Sequence, residues 1–187
     1  MERFLFIYNL LAALSDGRLF RSLFSTLLRV LSVALIIYLI GDTIERWQEI
    51  YYGNEITTLF IGEMIRILSG YAVIHLMLLR AAEIHTLSNP LYTLSEVITV
   101  IIRLSGELLF VITLSITITT TLQLLGLNVQ LLIPELAKII SPLLEHKSSL
   151  WIGVAGTGLS LLFLVAGHFA SELLEMILRL SRNSEPR

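Results

Sequence analysis

The sequence predicts an all-α integral membrane protein: a four-helix bundle of spanning helices, with two further amphipathic helices lying on the membrane surface. Three observations predict it. Four apolar runs, Leu23–Ile40, Leu59–Leu79, Val97–Leu127 and Leu150–Ala170, come close to or exceed the ~20 residues a helix needs to cross a hydrocarbon layer of about 30 Å. The chain is 55% hydrophobic and only 15% charged, against about 25% charged in a soluble domain, so it has too little polar surface to cover a water-soluble globule. Most of the basic residues, nine of the thirteen, gather on one side of the runs.

The elements follow in order. Met1–Leu14 holds an apolar run, but Glu2 stands beside Arg3 and Ser15-Asp16-Gly17-Arg18 is a poor cleavage site. The segment therefore reads as an uncleaved amphipathic surface helix over about residues 2–15. The first span covers about 23–41. The connection Gly41–Thr58 is acidic and carries Trp47, Tyr51 and Tyr52, residues that favour the membrane boundary. The second span covers about 59–80 and ends before the turn signal Ser88-Asn89-Pro90. The third, about 97–127, is long for one crossing and so tilts or protrudes. After it, Leu131, Leu132, Leu136, Ile139, Ile140 and Leu143 recur at mainly helical spacing between Pro134 and Pro142. That pattern predicts a second surface helix over about 130–146. The fourth span covers about 150–178. Residues 1–187 form a single membrane domain.

Charge sets the expected orientation. If every run crosses once, Arg3, Arg18, Arg21, Arg29, Arg80, Arg103, Arg179, Arg182 and Arg187 share one side, nine of the thirteen basic residues. The positive-inside rule then places both termini in the cytoplasm. The net charge of −2 argues against nucleic acid, which needs a basic face. There is no cysteine, which excludes disulfides, thiolate metal sites and cysteine nucleophiles.

Several short motifs recur in a fixed order. Gly41-Asp42-Thr43 follows the first span, Glu63 comes early in the second, Pro90-Leu91 ends the next loop, Arg103 lies inside the third, and Glu145-His146-Lys147-Ser148 precedes the fourth. This series resembles the phosphate-starvation-inducible PsiE family of small four-span membrane proteins. The likeness covers most of Leu35–Leu109 and again Glu145–Ala166. It implies a four-helix fold in the cytoplasmic (inner) membrane of a prokaryote. The family has no established reaction, so it implies no catalytic residues.

Ionisable groups inside spans are costly and need a partner or a purpose. Glu63 and Arg66 are three apart, and Arg103 and Glu107 four apart, so each pair can neutralise itself along one helix. His75 and His168 lie in the two spans that run in the same direction, at what the spacing predicts is similar depth. Two such histidines are what a bis-imidazole haem b requires, and Gly70 and Gly167 nearby leave room for a flat porphyrin. The plainer expectation is that each histidine bonds a neighbouring helix or reaches the membrane interface. His146 and Lys147 read as boundary anchors and Ser148 as the cap of the fourth helix. Ser115, Thr117, Thr119, Thr120 and Thr121 read as hydroxyls bonded to their own backbone or to a neighbouring helix. Gly153, Ala155, Gly156 and Gly158 read as small residues that let helices approach.

No catalytic triad, phosphate loop or metal-ligand spacing stands out, so no enzyme is expected. The expected role is that of a non-catalytic accessory or structural subunit, whose partners are the lipid bilayer and other membrane protein subunits. The alternatives are a haem-bearing electron carrier resting on His75 and His168, and a small oligomeric transporter or channel resting on Glu63, Arg66, Arg103, Glu107 and the threonine run.

Overall fold

A computed structural model describes residues 18–52, 56–87, 93–127 and 148–184. They form four helices: α1 (Arg18–Tyr52), α2 (Ile56–Thr86), α3 (Thr93–Leu124) and α4 (Ser149–Ser184). Each contains a segment long and apolar enough to span a membrane: Leu19–Trp47, Phe60–Thr86, Leu94–Leu124 and Ser149–Leu180. Among the described residues the regular structure is thus all helical, and the chain is a multi-pass membrane protein. The surface helices expected over 2–15 and 130–146, together with Pro90, His146 and Lys147, lie outside the described residues.

The helices outrun the expected spans. The largest departure is at Gly41, where a connection was expected and α1 instead continues to Tyr52. No proline lies between Gly41 and Tyr52, and a lone glycine weakens a helix without ending it. The polar residues beyond it also have helical partners: Arg46 Nε donates to Asp42 Oδ2 at 2.9 Å, one turn back. Only residues 53–55 separate α1 from α2.

The other ends have local causes. Gly126, at φ +88°, closes α3. Its N–H donates to the Gln123 carbonyl at 3.0 Å, and the Leu127 N–H reaches back to Leu122 at 3.0 Å. These are the two bonds of a Schellman motif, which needs a left-handed residue that glycine supplies. The third span therefore stops at Leu124, three residues short of the expected 127. At the start of α4 the Trp151 N–H donates to Ser148 Oγ at 3.4 Å, so Ser148 caps the helix as expected.

The four helices pack as an antiparallel row. Each rests chiefly on its sequence neighbour, and the α3–α4 seam is the most extensive. α1 also touches α3, but α4 has no comparable packing on α1 or α2. The side of α1 turned inward runs Arg21, Ser25, Leu28, Ser32, Leu35, Leu39, Asp42, Arg46. The steps alternate between three and four residues, which keeps one stripe against a neighbouring helix. Ser25 Oγ donates to the Ala81 carbonyl across the α1–α2 seam at 2.8 Å. Leu39 fills the notch at Gly70. The apolar core, Leu28, Met77, Ala81, Ile84, Val97, Val100 and Leu104, joins α1, α2 and α3 toward the end where α1 begins.

Small residues govern the α3–α4 seam. Thr121 lies against Gly153, Thr117 against Gly156, and Gly106 against Gly167. Gly153 and Gly156 thus act as expected. Gly158 has nothing within 4 Å of its open side, and Ala155 is exposed. The threonines bond their own backbone: Thr117 to Thr113 at 2.8 Å, Thr119 to Ser115 at 2.9 Å and Thr121 to Thr117 at 2.7 Å.

Candidate functional site

The ionisable residues inside the spans gather into two clusters, one toward each end of the bundle. The first joins α1 and α2. Arg66 and Glu63 are almost fully buried, at 5% and 4% exposure. Arg66 Nε donates to Glu63 Oε2 at 2.9 Å. Its Nη2 donates to Thr43 Oγ1 at 2.6 Å, and its Nη1 lies 2.5 Å from Asp42 Oδ2. Asp42 also receives Arg46. Two carboxylates and two guanidinium groups balance, which offsets the cost of removing them from water. The pairing of Glu63 with Arg66 is as expected. The cross-helix partners Asp42 and Thr43 were not expected in this role. The spacing of Gly41-Asp42-Thr43 hides it while that segment is read as a corner.

The second cluster corrects an expectation. Arg103 and Glu107 do not pair with each other. Glu107 is held by Arg80 of α2, whose Nε donates to Oε2 at 3.0 Å and whose Nη2 bonds Oε1. Arg80 also bonds Glu83 one turn on. Arg103 reaches Glu83 Oε1 and Ser171 Oγ, both at 3.4 Å. The antiparallel seam sets Arg80 beside Glu107 and Glu83 beside Arg103, so charges alternate around a square. A fork of two parallel bonds to a neighbouring helix displaces the single contact available along α3.

His168 belongs to this square. Its Nε2 is 3.3 Å from Glu107 Oε1, so it bonds a neighbouring helix. His75 does not join it. The His75 ring is exposed and stacks on Tyr71, with centroids 6.0 Å apart and planes inclined by 20°. The expected similar depth fails for a geometric reason. His168 meets Glu107, which meets Arg80, and Arg80 is five residues beyond His75, about 7.5 Å along the helix axis. Both spaces proposed for a porphyrin are filled. Leu39 occupies the notch at Gly70, and the backbone of Gly106 abuts Gly167. Among the described residues, no group of three His, Asp or Glu side chains is placed to hold a metal ion.

Beside the second cluster opens a cleft of about 500 Å³ between α2, α3 and α4. Glu83, Glu96, Arg103, Glu175 and Arg179 supply its polar wall, and Leu87, Val100 and Leu178 its apolar one. Glu175 accepts a bond from Arg179 at 2.6 Å. Sequence reasoning used Arg80 and Arg179 only as markers of orientation. The pairing of Arg80 with Glu107 depends on the helix register, which no local pattern displays, whereas Arg179 and Glu175 are four apart on one helix and were legible by spacing alone. No protein-family model, curated protein or solved structure matches the chain.

Proposed function

We propose that the chain is a non-catalytic integral membrane subunit of the kind the PsiE resemblance implies. It packs against other membrane proteins in the cytoplasmic membrane of a prokaryote, with both termini in the cytoplasm. The use made of the ionisable side chains supports this reading. Asp42, Arg46, Glu63 and Arg66 neutralise one another, as do Arg80, Glu83, Arg103 and Glu107. These groups tie helices together. The open row of helices leaves the far sides of α1 and α4 available to lipid or to other membrane helices. The excess of arginine at the end carrying both termini supports the orientation.

The test is gentle extraction from native membranes through a tag on the full chain. A membrane protein that co-purifies at fixed stoichiometry in two detergents, and whose abundance falls when this chain is deleted, bears the proposal out. Recovery of this chain without any other protein overturns it.

The cleft at Glu83, Arg103 and Glu175 supports a second reading, a small oligomeric transporter or channel. Solute and ion flux into liposomes that carry the purified protein tests it. Flux equal to that of empty liposomes overturns it.

A further inference from the structure

The outward side of α2 carries a pattern that lipid alone does not explain. Arg66 and Arg80 bound an uncharged stretch, residues 67–79, centred on Val73. Both arginines sit in neutral clusters toward the two ends of the bundle, about 21 Å apart at 1.5 Å per residue. The stretch between them therefore crosses the middle of the hydrocarbon. Tyr71 and His75 flank Val73 by two residues each. Both face out of the bundle, Tyr71 at 63% exposure. Their one interaction within the described chain is the ring stack with each other. The phenol hydroxyl and both imidazole nitrogens thus have no hydrogen-bond partner among the described residues. Acyl chains offer neither donors nor acceptors, and an unsatisfied polar group in hydrocarbon is costly.

The same side shows a repeat. Met64, Leu68, Tyr71, His75, Leu78 and Ala82 are all exposed. Their steps are four, three, four, three and four residues, a period of 3.5 that suits a long left-handed crossing with another helix. We propose that this stripe is the interface of a parallel homodimer, with Tyr71 and His75 of each copy hydrogen-bonded reciprocally to His75 and Tyr71 of the second copy.

Donor and acceptor complementarity favours a second copy as the occupant. Two copies inserted in the same direction are related by a twofold axis along the membrane normal. That axis sets the α2 stripe against itself, so each residue meets its own equivalent and its neighbours. A phenol hydroxyl donates and a neutral imidazole nitrogen accepts. With the two placed four residues apart on one stripe, the twofold axis makes the bond twice. Histidine is known to bond across membrane helices in this way. The inference goes beyond the accessory reading, since a dimer forms with or without another protein.

The absence of cysteine gives a clean test. Met64→Cys, Leu68→Cys and Leu78→Cys are made one at a time in the full chain, with the exposed positions Ile37→Cys on α1 and Leu162→Cys on α4 as controls. Mild oxidation in native membrane vesicles is expected to give covalent dimers at the three stripe positions and only background at the controls. Equal cross-linking at the controls, no cross-linking on the stripe, or a stripe cross-link to a different protein overturns the proposal. A second measurement uses Tyr71→Phe with His75→Phe, which keeps bulk and raises apolarity. In liposomes, photobleaching steps per labelled particle report dimerisation. The pair of changes is expected to weaken it roughly tenfold, about threefold for each of two bonds. Unchanged dimerisation overturns the hydrogen-bonded centre. A dimer extracted from native membranes without any other protein upholds this inference while overturning the accessory reading. A different protein seated on the stripe does the reverse.

Discussion

Gly106 of α3 and Gly167 of α4 touch backbone to backbone. A Cβ on Gly106 would lie 2.7 Å from the Gly167 Cα and 2.9 Å from the Phe163 carbonyl oxygen. Neither atom can swing aside as a side-chain tip can, so any larger residue separates the helices. α4 packs chiefly on α3, and this contact is one of the close approaches that hold it there, with Thr117 at Gly156 and Thr121 at Gly153.

Gly106→Ala and Gly167→Ala are each expected to destabilise the folded bundle, by about 1–3 kcal/mol as an overpacked contact. Gly158→Ala meets nothing within 4 Å and is expected to be neutral or stabilising, by up to about 1 kcal/mol from helix propensity. Thermal unfolding in detergent, followed by loss of monodisperse protein, separates the three. Gly70→Ala should fall between, because the atoms it meets are the end of the Leu39 side chain.

The Arg80–Glu107 pair gives a sharper contrast. Arg80→Leu alone leaves the buried Glu107 carboxylate with His168 in place of its guanidinium partner, and Glu107→Leu alone leaves the Arg80 guanidinium with Glu83 only. Each is expected to cost about 3–5 kcal/mol, while changing both together is expected to be close to neutral. A double-mutant cycle on unfolding midpoints checks this. Additive losses would show that the pair is not coupled.

How much of this was legible in sequence follows from the range of each interaction. The four helices were legible because apolar length is local. The cap at Ser148 and the small-residue seam at Gly153 and Gly156 were legible for the same reason. The pairing of Glu63 with Arg66 lies within one turn and was also visible. Asp42 with Arg66, and Arg80 with Glu107, are joined only once two helices settle into register. That register is set by packing such as Ser25 against Ala81, which spacing along the chain does not encode. The expected pair of histidines failed because their count from nearby charges stood in for depth, and α2 and α4 are registered through α3.

Trp47 and Trp151 are expected to mark one membrane boundary. Trp47 packs edge-on against Phe60, with centroids 6.3 Å apart, at the end of the bundle where α4 begins. Both indoles are exposed, as in an interfacial aromatic belt. In single-tryptophan variants, Trp47→Phe and Trp151→Phe, brominated lipids should quench the remaining indole at the same shallow depth. Quenching strongest near the acyl-chain ends for either one would displace the boundary.

The purified protein is expected to show no Soret band, since His168 faces Glu107 while His75 is stacked on Tyr71 at a different depth. An absorbance spectrum of protein extracted from native membranes decides it. A Soret band that disappears in His168→Leu would contradict the placement.

The square at Arg80, Glu83, Arg103 and Glu107 also bears on how the chain enters a bilayer. Each helix brings one carboxylate and one guanidinium group within a single turn, Arg80 with Glu83 on α2 and Arg103 with Glu107 on α3. At this depth each helix is neutral by itself, so neither must wait for the other before leaving water. Docking then needs no new charge, only an exchange of partners between two segments that are already inside.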